Sequence, residues 1–104
     1  MKYLLGYDIG SSSVKASLLA IDTGRCVAAA TSPSGTELGI AVPQPGWAEQ
    51  HPERWWQEIG NATRQLQSSY GFEGDQVAAI GITYQMHGLV LVDKDGQVLR
   101  PAII

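Results

Sequence analysis

Two clusters of polar residues in this chain have types and spacings suited to chemistry. Gln85-Met86-His87-Gly88 joins an amide, a thioether, an imidazole and a flexible glycine between two apolar runs, 77–83 and 89–92. The carboxyl end of a buried strand is where open α/β folds place polar ligands. There Gln85 and His87 can bond the hydroxyls of a sugar while Met86 lies against its apolar face, the mixture typical of a small-molecule pocket. On its own, a single histidine is more often an ordinary packed or solvated residue than a ligand group.

The second cluster is Tyr7-Asp8-Ile9-Gly10-Ser11-Ser12-Ser13-Val14-Lys15. A turn of Gly10, Ser11, Ser12 and Ser13 offers backbone N–H groups and hydroxyls that can surround a phosphate. Asp8, at the end of the first strand, can hold a hydrated Mg2+ beside that phosphate, because carboxylate plus water is what this ion accepts. Lys15 adds a compact positive charge. A plain serine-rich hairpin turn next to a solvated aspartate fits the same residues. Together the two clusters suggest a sugar site beside a phosphate site.

The elements that must position them can be read from periodicity and breakers. Residues 2–9 form an apolar run, and 14–21 form a second one with Lys15 and Ser17 on one alternating face. Asp22-Thr23-Gly24-Arg25 supplies a turn, after which 26–30 returns as a third strand, completing an antiparallel meander. Residues 31–51 contain Pro33, Pro43, Pro45, Gly35, Gly39 and Gly46, a breaker density that predicts a loop. His51 is expected at the start of a helix and Pro52 as its first residue, with Glu53 near the positive end of the dipole. Trp55, Ile59, Ala62, Leu66 and Ser69 or Tyr70 follow a helical period, with Gln57, Glu58, Asn61, Arg64 and Gln65 on the other side. The pair Trp55-Trp56 is expected in the core, and Gly71 is a natural stop. Residues 77–83 lack strict alternation, as expected of a central strand covered on both faces. The segments 89–92 and 98–99 predict a hairpin closed by Asp95-Gly96.

Composition bounds the rest. The chain has 104 residues, 44% of them hydrophobic and 16% charged, which suits one domain. A net charge of −3 with no cluster of Lys or Arg argues against a nucleic-acid surface. The single cysteine, Cys26, cannot form an internal disulfide and is expected to be a buried, inert thiol. The apolar start is broken by Asp8 before it reaches signal-peptide length. No apolar run approaches the roughly 20 residues of a membrane span. A soluble, cytoplasmic protein that needs no membrane is the expectation.

The motifs, taken together, resemble the FGGY carbohydrate kinases, and among them the xylulose kinases. The family's Asp-x-Gly-Thr/Ser-Ser-x-x-Lys is matched by Asp8, Gly10, Ser11, Ser12 and Lys15. Its Trp-x-Glu-Gln-x-Pro and tryptophan pair are matched by Trp47, Glu49, Gln50, Pro52, Trp55 and Trp56. The Gln-Met-His-Gly segment is matched at Gln85 to Gly88, and Val98-Leu99-Arg100-Pro101-Ala102-Ile103 looks like the family's following stretch. Glycerol kinases carry Arg-Glu where this chain has Met86-His87, and gluconate kinases tend to follow Met-His with serine, so Gly88 favours xylulose. Ser11 replaces the commoner threonine, and Tyr84 stands where xylulose kinases usually carry a small residue.

The resemblance implies a partial RNase H-like, actin-like ATPase fold of the α/β class: three-strand meander, helix, parallel strand, hairpin. It implies that residues 1–104 are the amino-terminal part of the first domain of an ATP- and Mg2+-dependent kinase making xylulose 5-phosphate from D-xylulose. Asp8 would be catalytic and hold the metal through water. Gly10, Ser11, Ser12, Ser13 and Lys15 would bind phosphate, and Gln85, Met86 and His87 the sugar. The catalytic base and the adenosine site would lie outside this chain, leaving it inactive by itself, and a homodimer is allowed for. Other sugars, gluconate first, are the nearest alternatives. An RNase H-like nuclease ranks lower because Thr83 and Tyr84, not an acid, end the 77–83 strand, and a non-catalytic binding module is the third reading.

Overall fold

Alternation of apolar residues along the first two strands dictates how they pack. In the computed structural model, which describes every residue except Glu37 and His87, β1 spans Tyr3–Ile9 and β2 spans Val14–Ala20. Their antiparallel register sets Tyr3 opposite Ala20, Leu5 opposite Leu18, and Tyr7 opposite Ala16. All six of these side chains are buried on one face. The intervening positions, Asp8 and Lys15 among them, belong to the opposite face. Gly24, with φ of 68°, closes the turn to β3 (Cys26–Ser32), and its N–H donates to the Ala20 carbonyl at 2.8 Å.

Two further two-residue strands are β4, Glu49–Gln50, and, at the carboxyl end, β6, Ala102–Ile103, which pair antiparallel. Neither was expected, since β4 lies in the segment predicted as loop. The helix α1 (Pro52–Tyr70) starts and stops as its sequence dictates. Pro52 occupies its first position, the His51 Nδ1 accepts from the Glu53 N–H at 3.2 Å, and Gly71 ends it at φ 79°. Ala62 and Leu66 enter the core with Leu18 and Val14, where full burial of each larger aliphatic side chain stabilises by about 1.5–3 kcal/mol.

The parallel strand β5 (Val77–Thr83) completes the four-stranded order β3-β2-β1-β5. Four expectations need correction here. Within residues 1–104, β5 is an edge strand rather than a central one, and Ile80 and Ile82 are 58% and 56% exposed, because α1 lies over β2 and β3 instead. Cys26 is exposed, not buried, because it begins the other edge strand beside the turn. Trp55 is half-buried but Trp56 is exposed, so only one of the pair packs.

Glu58 is the fourth. It is buried, not on the outer side, because positions 58, 62 and 66 share one helix face. Its burial is compensated: Oε1 accepts from Ser32 Oγ at 3.0 Å and from Asn61 Nδ2 at 2.7 Å, and Arg54 lies 3.6 Å from Oε2. The expected reversal near Asp95-Gly96 forms, with Val92 bridging Val98, Gly96 at φ 79°, and Asp93 Oδ1 accepting from the Asp95 and Gln97 N–H groups.

Candidate functional site

Strand register builds the site. Asp8 stands opposite Lys15 on β2 and opposite Thr83 on β5, while Lys15 stands opposite Thr31 on β3. One polar row, Thr31, Lys15, Asp8 and Thr83, therefore crosses all four strands on the face that α1 leaves open. The Thr83 Oγ1 donates to Asp8 Oδ1 at 3.1 Å. Among the described residues, Asp8 and Lys15 are not joined in an ion pair, so the carboxylate and the ammonium both remain exposed for other partners.

The turn between β1 and β2 sits beside this row. Its Gly10 N–H donates to the Ser13 carbonyl at 3.0 Å, which closes the turn. A Cβ at Gly10 would approach that same oxygen to 3.2 Å, so the position favours glycine on space. The carbonyls of Gly10, Ser11 and Ser12 accept, in order, from Gln85 Nε2 at 3.3 Å, Gln50 Nε2 at 2.6 Å and the Leu38 N–H at 2.7 Å. Carbonyl oxygens would repel a phosphate, and here each is engaged by a protein donor. Ser11 and Ser12 are exposed, Ser13 half-buried.

Two hollows meet at this turn. One is lined by Asp8, Gly10, Ser11, Ser12, Ser13, Lys15 and Thr31. It gathers every residue expected on the phosphate side and adds Thr31. The other, of about 570 Å3, is walled by Asp8, Ile9, Gly10 and Ser11 on one side and by Tyr84, Gln85, Met86, Ile40, Ala48 and Ile104 on the other. That volume lies within the range usual for small-molecule sites, about 300–1,000 Å3. Met86 and Tyr84 are 81% and 78% exposed at its rim, while Gln85 is half-buried. His87, expected on the sugar side, lies outside the described residues.

Gln50 connects the two sides, although its sequence signal was only a place in the Trp-x-Glu-Gln-x-Pro motif. It is 3% exposed, and its Oε1 accepts from Gln85 Nε2 at 2.8 Å and from Trp55 Nε1 at 2.9 Å. Thr31 and Thr83 were missed as site residues because a threonine in a strand ordinarily signals β propensity; only the register reveals their place in the row.

For a metal, the described residues offer no group of three or more His, Cys, Asp or Glu side chains. Asp8, with one carboxylate oxygen engaged by Thr83, fits a Mg2+ held through water and completed by phosphate oxygens, and does not fit an all-protein cage. A two-metal nuclease, which needs converging carboxylates, finds no support in this geometry.

A polar row thus crosses the ends of β1 and β5 beside a closed serine turn, on a mixed sheet packed against one helix. A model described as the FGGY family of carbohydrate kinases, N-terminal domain, matches residues 3–104, and the chain belongs to that family. Over 100 residues it is 42% identical to the xylulose kinase of Escherichia coli strain K12, covering 96% of this chain and 19% of that protein. It superposes on the crystal structure of the "xyloylose kinase" from Brucella ovis with a TM-score of 0.88 at 37% identity, covering 98% of this chain and 20% of that one. The gluconate kinase of Lactobacillus acidophilus follows at 0.81 and 26%, covering 98% of this chain and 19% of that one. The meander, helix and parallel strand are thus part of the actin-like ATPase fold of FGGY sugar kinases, and the chain spans about a fifth of the length of the relatives it matches.

Proposed function

We propose that residues 1–104 are the amino-terminal part of the first domain of a cytoplasmic, ATP-dependent kinase that phosphorylates D-xylulose to xylulose 5-phosphate. The observation that carries this reading is the shared wall of the two hollows: Asp8, Gly10 and Ser11 line both. A phosphoryl donor on the serine side and a hydroxyl acceptor on the Gln85-Met86 side would then be neighbours, and phosphoryl transfer depends chiefly on such positioning and on charge stabilisation.

In this reading Asp8 anchors the water-held Mg2+, which would neutralise developing phosphate charge. Gly10, Ser11, Ser12, Ser13 and Lys15 hold phosphate. Gln85, Met86 and His87 hold the sugar. Similarity to proteins named xylulose kinase, together with Gly88 after Met86-His87, supports D-xylulose over gluconate. The likeness to a gluconate kinase keeps gluconate as the second substrate to test.

The test is a coupled assay of the full-length protein with ATP and a panel of D-xylulose, other ketopentoses and gluconate. D-Xylulose is expected to give the highest kcat/KM, and a higher value for gluconate would replace it. The 104-residue chain alone is expected to show no turnover, because Asp8 is the one carboxylate among the described residues lining the two hollows. Measurable phosphorylation by that chain would contradict the assignment of the base to another part of the protein. His87→Ala is expected to alter sugar KM or turnover far more than ATP affinity.

A further inference from the structure

Gln50 is a buried amide whose side chain makes three hydrogen bonds, to the serine turn, to α1 and to Gln85. Its Nε2 donates to the Ser11 carbonyl at 2.6 Å, on the wall shared by the two hollows. Its Oε1 accepts at 2.8 Å from Gln85 Nε2, on the sugar side, and at 2.9 Å from Trp55 Nε1, on α1. Gln85 in turn reaches the Gly10 carbonyl at 3.3 Å, which closes the circuit.

The backbone carrying Gln50 is itself fixed. It lies in β4, where Gln50 is registered against Ala102 and Glu49 against Ile103 of β6. Arg100 ion-pairs with Glu49 next door, and His51 caps α1 immediately after. A side chain held at its root by a strand pair and a helix start has little freedom to follow either partner. The partners must follow it.

Each of its oxygen and nitrogen atoms is also chemically committed. Nε2 can donate and Oε1 cannot, so the amide reads the turn with one end and the sugar-side segment with the other. We propose that Gln50 is a positioning residue that sets the placement of the serine turn relative to Gln85, so that both hollows depend on one amide that touches neither ligand. This rests on the kinase reading above and names the residue that holds its two halves in register.

The experiment uses the full-length protein and two variants. Gln50→Glu keeps the size and the acceptor but removes the donor to Ser11; Gln50→Met removes both polar functions at similar length. KM is the useful readout, because it does not depend on what fraction of the enzyme is folded. In both variants KM for D-xylulose and KM for ATP are expected to rise together, by about 5- to 100-fold, the span that loss of a buried hydrogen-bond partner covers. Met86→Ala, which alters one hollow only, is expected to raise the sugar KM alone. Folded Gln50 variants with both KM values within about twofold of the parent would overturn the proposal, as would a rise confined to one substrate. If neither Gln50 variant folds, the residue serves folding alone and the proposal also falls. Absence of any kinase turnover in the parent protein is a separate result, which removes the functional reading and this inference with it.

Discussion

The Thr83 hydroxyl donates to Asp8 Oδ1 at 3.1 Å across 75 residues of chain, joining the ends of two parallel strands. The bond leaves the second carboxylate oxygen of Asp8 to other partners. Thr83→Val keeps the shape and removes the donor. On the proposed reading, turnover of the full-length protein is expected to fall about 3- to 10-fold with sugar KM little changed, and stability to change by less than about 1 kcal/mol because the bond is exposed. Steady-state kinetics with a parallel urea titration checks both parts.

Lys15 faces the serine hollow, opposite Asp8 in register, without an ion pair to it. Its ammonium is therefore available to an anion. Lys15→Met retains the aliphatic stem and removes the charge, so KM for ATP is expected to rise about tenfold while KM for the sugar holds. An unchanged ATP dependence would remove Lys15 from the phosphate site.

Gly10 has 3.2 Å between the place of a Cβ and the Ser13 carbonyl oxygen. Gly10→Ala must push the turn open, since its obstacle is backbone. A loss of about 1 kcal/mol in unfolding free energy is expected, read from the shift in denaturation midpoint, together with weaker ATP binding measured by calorimetry. Full stability with parental ATP affinity would show that the turn tolerates displacement.

Glu58 is the buried acceptor for Ser32 and Asn61. Glu58→Ala strands both donors and is expected to destabilise by about 1–3 kcal/mol; Glu58→Gln, which keeps a carbonyl acceptor, should lose less. Chemical denaturation of the two variants gives the order; both remove the charge facing Arg54, so the reverse order would show that the acceptor for Ser32 and Asn61 does not carry the stability of this site.

Much of the frame was legible in the residues. The bounds of β5, the extent of α1 and its caps at His51 and Gly71 follow from local apolar pattern and breakers, which act over a few residues. The β4–β6 pair was not, because two-residue strands carry no pattern and their partners lie about fifty residues apart. Glu58 misled for a related reason: a charge on a helix predicts a wet face unless its partners, here Ser32 and Arg54, can be placed. The site divided in the same way. Asp8, the serine turn, Lys15, Gln85 and Met86 were visible by type, whereas Thr83, Thr31 and the joint role of Gln50 depend on register between distant strands.

The parallel pairing of β5 with β1 also bears on the order in which the molecule acquires its site. The meander closes through short turns, so its contacts form at little loop-closure cost, whereas β5 must return across the whole loop and helix. Within residues 1–104, where β5 is the exposed edge strand, it also belongs to the part that opens first under mild destabilisation. Both the Thr83 bond to Asp8 and the Gln85 bond to Gly10 span that last connection. Hydrogen exchange on the 104-residue chain should therefore find the β1–β2 hairpin protected under conditions in which β5 has already let go, leaving a folded scaffold with half a site.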